Sequence, residues 1–276
     1  MTSRLDRVPP EPFFAIGAIS QYAGAAIAVV LFEYVAAGTV ALLRVVGAAM
    51  IIVVARRSWS RPWSRETLGA AAVFGTVLAL MNLSFYLAID RLPLGNAVAV
   101  EFLGPVAVAA VGARSVRTAS GLGLAAIGVA VLVGVTPEGS AAGFGFALLA
   151  GVFWAGYIVV GHRVAMSGAG VDGLGVGMAV GALVIAPFTA GGLGALGTRP
   201  LLILAALATG LLSNAIPYGI DQAVLARIDR ARFALLQSLL PLTATVVGFA
   251  VLAQRPTVSE LVGIALVAVA IVLARE

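Results

Sequence analysis

Two ionisable side chains stand inside long apolar runs of this sequence: Arg44 in ALLRVVGAAM and Glu101 in GNAVAVEFLGPVAVAAVGA. At helical rise they lie about 10 Å and about 12 Å into their runs. An arginine fork grips carboxylates, and a glutamate can hold an ammonium group or exchange a proton. Two readings stand side by side: a buried Arg44–Glu101 ion pair that pins two helices, or two groups that line a cavity. Other polar residues share helix faces. Asn82 and Tyr86 are four apart, as are Asn214 and Tyr218, so each pair projects from one side of its helix and either lines a cavity or bonds helix to helix. Gln21, Trp154 and Tyr157 could contact a ligand or be ordinary core residues.

The element that must carry these residues is a membrane helix. The chain has 276 residues, 61% hydrophobic and 11% charged, and such a composition cannot clothe a water-soluble core. All 17 cationic residues are arginine. With no lysine, a phosphate-gripping P-loop and Schiff-base chemistry are excluded. With no cysteine and one histidine, His162, so are disulfides, thiolate catalysis and HExxH metal sites. Neither a cofactor nor a metal is expected. The arginines are scattered through short connections, which reads as topology-setting charge and not as a nucleic-acid surface. MTSRLDRVPPEP precedes an apolar run without a small-residue cleavage site, so the first segment is expected to be a retained span.

Runs of about 20 residues cross a bilayer core. Ten are expected, near 13–31, 37–55, 67–89, 93–113, 118–135, 143–163, 172–190, 200–221, 231–252 and 257–274, broken by RRSWSRPWSRE, DRLP, ARSVRT, TPEGS, GTRP, ARIDRAR and AQRPT. If the N-terminus is cytoplasmic, Arg4, Arg7, Arg56, Arg57, Arg61, Arg65, Arg114, Arg117, Arg163, Arg227, Arg230, Arg232 and Arg275 lie inside, and Arg91, Arg199 and Arg255 outside. That asymmetry predicts both termini in the cytoplasm. The halves 1–136 and 137–276 also match. AIDRLPLGNAVAVEFLGPVAVAAVG aligns with VLARIDRARFALLQSLLPLTATVVG, pairing Pro105 with Pro241 and Glu101 with Gln237, and TASGLGLAAIGVAVLV follows against TVSELVGIALVAVAIVL. An odd number of spans per half inverts one copy relative to the other. The expected fold is therefore an all-α integral membrane protein of ten helices in two inverted five-helix repeats, and such repeats build transporters around a midplane site.

Those segments resemble the drug/metabolite transporter superfamily in its EamA branch, and most closely its threonine/homoserine exporter group. The resemblance rests on ALLRVVGAA, MNLSFYLAIDRLPLGNAVAVEFLGPVAVA, FWAGYIVVGHRV and SNAIPYGIDQAVLARIDRARFALLQSLLPLTATVVGFAVLAQ, and covers nearly the whole chain. It implies export of small metabolites through a central cavity in a bacterial cytoplasmic membrane, with surrounding lipid and a small-molecule substrate as partners. The family often has Gly-Glu after the helix equivalent to 231–252; this chain has Ala253-Gln254, and Ala113-Arg114 in the first half, a helix-end and packing feature.

Glu101 is read as the only acid within the membrane and so as the proton-coupling group; with an amide, Gln237, in the matching place, the chemistry is one-sided, as an amino acid would require. The expected substrate contacts are Arg44, Glu101, Asn82, Tyr86, Asn214, Tyr218, Gln237, Gln21, Trp154 and Tyr157. Pro105, Pro217 and Pro241 interrupt backbone hydrogen bonds and either gate or merely shape the bundle. Gly173, Gly177 and Gly181 form a repeated GxxxG expected to pack helices. No ATP-binding element is present, so an ion gradient or the substrate's own must drive transport, and a monomer suffices to form the pathway. The rivals are efflux of cationic drugs, which would leave Glu101 exposed and free of Arg44, an intramembrane enzyme, for which a nucleophile–base pair is missing, and a membrane sensor or scaffold, which would have no soluble domain to signal through.

Overall fold

The computed structural model describes residues 10–111, 116–135, 140–196, 199–228, 233, 237 and 240–273. Arg4, Arg7, Arg114, Arg230, Arg232, Arg275, the Ala113-Arg114 pair, the repeat boundary at 136/137 and most of 231–239 lie outside the described residues. Within them the regular structure is helical: α1 (Pro10–Leu31), α2 (Ala37–Arg56), α3 (Arg65–Ile89), α4 (Leu94–Glu101), α5 (Leu103–Ala110), α6 (Val116–Val135), α7 (Ala141–Met166), α8 (Gly170–Thr189), α9 (Pro200–Gly210), α10 (Ile216–Leu225), α11 (Leu240–Leu252) and α12 (Val258–Leu273). Six stretches, Pro12–Leu31, Ala37–Arg56, Arg65–Ile89, Ala141–Met166, Gly170–Gly194 and Pro200–Leu225, are long and apolar enough to cross a membrane. Leu94–Val108, Thr243–Leu252 and Val258–Ala270 are shorter apolar helices.

Small residues set how closely these helices approach. Gly177 and Gly181 on α8 lie against the carbonyls of Ala71 and Gly75 on α3, and a Cβ on Gly75 would collide with Gly177 backbone. The glycine series thus packs α8 against α3, as its spacing predicts. Gly47 on α2 likewise meets Leu207 on α9, and Gly104 on α5 meets Gly151 on α7. The α2–α3 connection is ordered as well. Arg57 closes α2 in the left-handed region (φ 52°), Trp63 Nε1 donates to Ser58 O at 2.9 Å, and Asp172 of α8 accepts from Ser58 Oγ at 2.8 Å and from Arg56 at 3.3 Å.

Two expected spans differ in form from single regular helices. The run expected over 93–113 breaks at Phe102, between α4 and α5. Proline has no N–H, so Pro105 leaves the carbonyl of Glu101 without its usual i+4 donor. That carbonyl faces Gly151, where there is no side chain to obstruct it. The run expected to stop at 221 continues to Leu225, because a π-turn at Leu211–Ala215 joins α9 to α10. Pro217 would clash with the carbonyl of Ser213 in a regular helix, and the wider turn relieves it. Ser20 Oγ donates to Leu212 O and Ser213 Oγ to Gln21 O, both at 2.7 Å, so α1 holds the irregular turn in place.

Candidate functional site

Arg44 is 1% exposed and is the largest side chain buried so completely. The π-turn accounts for its position. Its Nη2 donates to Ser213 O, the carbonyl that Pro217 leaves without a regular helical donor, at 2.9 Å. Its Nε donates to Asn214 Oδ1 at 2.5 Å, and its guanidinium carbon sits 4.7 Å from the ring centroid of Tyr86 on α3. A buried cation is tolerated when carbonyl dipoles and an aromatic face replace its water. The third nitrogen, Nη1, has no partner among the described residues.

Arg44 lines a cleft with Gln21, Met81, Asn82, Phe85, Glu101, Trp154, Tyr218, Asp221 and Gln237. The cleft is narrow enough to hold little more than a single free water, so loading it requires the walls to part. Part of the lining is unsatisfied. Besides Arg44 Nη1, Asn82 Oδ1 and Gln237 Oε1 are buried without hydrogen-bond partners among the described residues. Glu101, 5% exposed at the last residue of α4, makes no hydrogen bond or ion pair among the described residues and lies within electrostatic reach of Arg44. Native interiors satisfy nearly all such groups, so a cluster of open donors and acceptors marks a place for a polar ligand.

Of the residues expected from sequence, Gln21, Arg44, Asn82, Glu101, Trp154, Tyr218 and Gln237 lie on the cleft wall. Tyr86, Asn214 and Tyr157 stand behind it. Tyr86 lies under Arg44, Asn214 anchors it, and Tyr157 donates its hydroxyl to Asp221 Oδ2 at 2.9 Å. Tyr157 also stacks on Phe74 with centroids 5.5 Å apart, and Trp154 meets Phe102 edge-on at 5.4 Å. The prolines do not face the cleft as ligands. Pro105 and Pro241 each follow a wall residue, Glu101 and Gln237, by four positions and deprive its carbonyl of an i+4 donor. His162 is half-buried on α7 and off the wall.

Two readings are corrected. The ion pairs among the described residues join Asp172 to Arg56 and Arg61 and Asp90 to Arg91; none joins Arg44 to Glu101, because Asn214 and Ser213 already take two of the guanidinium nitrogens. Nor is Glu101 the only acid within the membrane. Asp221, 6% exposed, lies on the same wall, one turn before α10 ends at Leu225. Its signal was present in the sequence: Asn214, Tyr218 and Asp221 follow at i, i+4 and i+7, one helix face. Met81 and Phe85, also unforeseen, share the cleft-facing side of α3 with Asn82.

Comparison with known proteins fits this picture. Residues 141–275 match the EamA-like transporter family. The threonine/homoserine exporter RhtA of Escherichia coli K12 is 31% identical over 96% of this chain and 91% of its own length. The protein of the same name from Salmonella typhimurium SL1344 is 32% identical over 85% of this chain and 80% of its own. A crystal structure 20% identical to this chain superposes with a TM-score of 0.59, covering 95% of this chain and 96% of that one, which shows the fold alone. With its apolar helices, its broken helices around a polar cleft and a relative matched along almost its full length, this chain belongs to the EamA family of transporters, which are membrane carriers and not enzymes.

Proposed function

We propose that the protein is a secondary exporter of small amino acids of the threonine or homoserine type, working by alternating access in a bacterial cytoplasmic membrane. The observation that carries this reading is the pairing on one buried wall of an arginine whose Nη1 is open and a glutamate that makes no hydrogen bond or ion pair, both among the described residues. The guanidinium takes the substrate carboxylate and Glu101 takes the ammonium, while Asn82, Tyr218, Gln21 and Gln237 offer hydrogen bonds to the rest. Opposite charges lining one desolvated cleft complement a zwitterion and nothing of single sign.

Two further features support the mechanism. Glu101 and Gln237, matched in the repeat alignment, both face the cleft four residues before a proline, as two inverted five-helix halves (1–136 and 137–276) around one site would place them. On that plan ten helices cross the membrane, both termini are cytoplasmic, and one chain contains the whole pathway. The narrowness of the cleft requires the halves to part for loading, and an ion gradient, a proton in our reading, drives the cycle. Efflux of cationic drugs is favoured by one observation, the lack of an Arg44–Glu101 ion pair; the unneutralised guanidinium on the same wall weighs against it, since it repels a cationic cargo.

The test is uptake of radiolabelled threonine and homoserine into inverted membrane vesicles, with and without an acid lumen. Accumulation driven by the gradient is expected for the wild type. No uptake of either amino acid would overturn the substrate assignment while leaving the carrier fold untouched.

A further inference from the structure

A zwitterion held by Arg44 and Glu101 leaves one charged wall residue unused. The opposite charges of those two side chains already balance, and a bound zwitterion adds nothing to the sum. Asp221 stands outside the balance. Its partner is the hydroxyl of Tyr157, and among the described residues no arginine lies within ion-pair distance of it. An ionised carboxylate there is a surplus negative charge within the membrane, which costs several kcal/mol unless a cation or proton neutralises it. The cleft can reorient without net charge only when that site is filled.

We propose that Asp221 carries the proton exchanged in the transport cycle, whereas Glu101 stays ionised as the ammonium partner. The inference rests on the exporter reading above and assigns its coupling site. The Asp221 carboxylate takes up a proton from water at one face and returns it to water at the other, with no bond made or broken besides that O–H. Tyr157 donates to the ionised form and fixes the carboxylate against the wall. The groups around it permit this division. Tyr22 approaches from α1 and Tyr157 from α7, Tyr218 precedes it on α10, and Arg44 and Glu101 line the same cleft. The titratable residue of α8, Asp172, is turned to Ser58 and Arg56 instead. Arg44 acts on Glu101, and among the described residues no cation is fixed beside Asp221.

The experiment uses the full chain in proteoliposomes with radiolabelled threonine. One arm measures counterflow with threonine on both sides and no gradient; the other measures accumulation driven by an acid lumen. Asp221→Asn is expected to keep counterflow within about twofold while gradient-driven accumulation falls at least about tenfold. Asp221→Glu, which retains an acid, is expected to keep both, and Glu101→Gln to lose both. Gradient-driven accumulation at the wild-type level in Asp221→Asn overturns the inference alone. Loss of counterflow in Asp221→Asn also overturns it, by making Asp221 a substrate contact, and loss of the gradient arm alone in Glu101→Gln moves the proton to Glu101. A wild type that shows no counterflow with threonine or homoserine overturns the exporter reading and this inference together.

Discussion

Glu101 and Glu260 are buried to the same degree, 5% and 7% exposed, and live in opposite circumstances. Glu260, in the first turn of α12, accepts from Asn96 Nδ2 at 2.7 Å, from Thr257 N at 2.8 Å and from Thr257 Oγ1 at 3.1 Å. Its own N–H returns a bond to Thr257 Oγ1, which closes a capping box. Nearby, Gln254 Oε1 accepts from the amide of Leu94 at the start of α4. These bonds form a joint between α4 and the α11–α12 connection. Glu101, at the other end of α4, has no hydrogen bond among the described residues and shares its cleft with an arginine whose Nη1 is open. A buried acid that is satisfied holds the structure together, and one left open waits for a ligand.

The comparison breaks first at Arg44. Arg44→Lys keeps the charge but loses the fork that holds Asn214, Ser213 and a substrate carboxylate at once, so threonine counterflow should fall by roughly a hundredfold with the protein still folded. Counterflow within about twofold of wild type would mean that a point charge suffices and that the fork has no role.

The two glutamates should then exchange phenotypes. Glu101→Gln is expected to abolish threonine transport while leaving thermal stability unchanged or higher, since it removes an unsatisfied buried charge. Glu260→Gln should lower stability by about 1–3 kcal/mol, with counterflow per folded molecule within about twofold of wild type. Stability is read by thermal unfolding in detergent and transport in proteoliposomes. Equal stability losses in both variants would erase the distinction.

How much of this was legible beforehand depended on whether a local pattern carried it. Six of the expected spans, the glycine packing of α8 on α3 and the seven wall residues followed from hydropathy, spacing and the scarcity of charge, all local properties. Asp221 was missed because it was the last residue of its expected span, 200–221, where an acid reads as a helix end; the helix runs one turn further, to Leu225. The anchoring of Arg44 by Asn214 and Ser213 joins residues 170 and 169 positions apart, and no local pattern encodes which partner a buried arginine selects. The Ala253-Gln254 pair was read as a helix-end and packing feature, and the structure gives the reason. Ala253 lies at φ 53°, where glycine is at ease and alanine is strained, and Gln254 caps α4.

That strain supplies the smallest expected effect. Ala253→Gly should raise stability by up to about 1 kcal/mol and leave transport unaltered, and Gln254→Ala should lower stability by about 1 kcal/mol, both read by thermal unfolding. A transport defect in Ala253→Gly would instead give this joint a part in the cycle.

The claim that open polar groups bind and closed ones build is tested most directly by ligand-induced stabilisation. A ligand that binds the folded state raises its unfolding temperature in proportion to occupancy. Purified wild type, Glu101→Gln and Glu260→Gln would each be unfolded with and without saturating threonine. The account predicts a threonine-dependent rise in the wild type, the same rise from a lower baseline in Glu260→Gln, and none in Glu101→Gln. A full rise in Glu101→Gln, or its loss in Glu260→Gln, would contradict it.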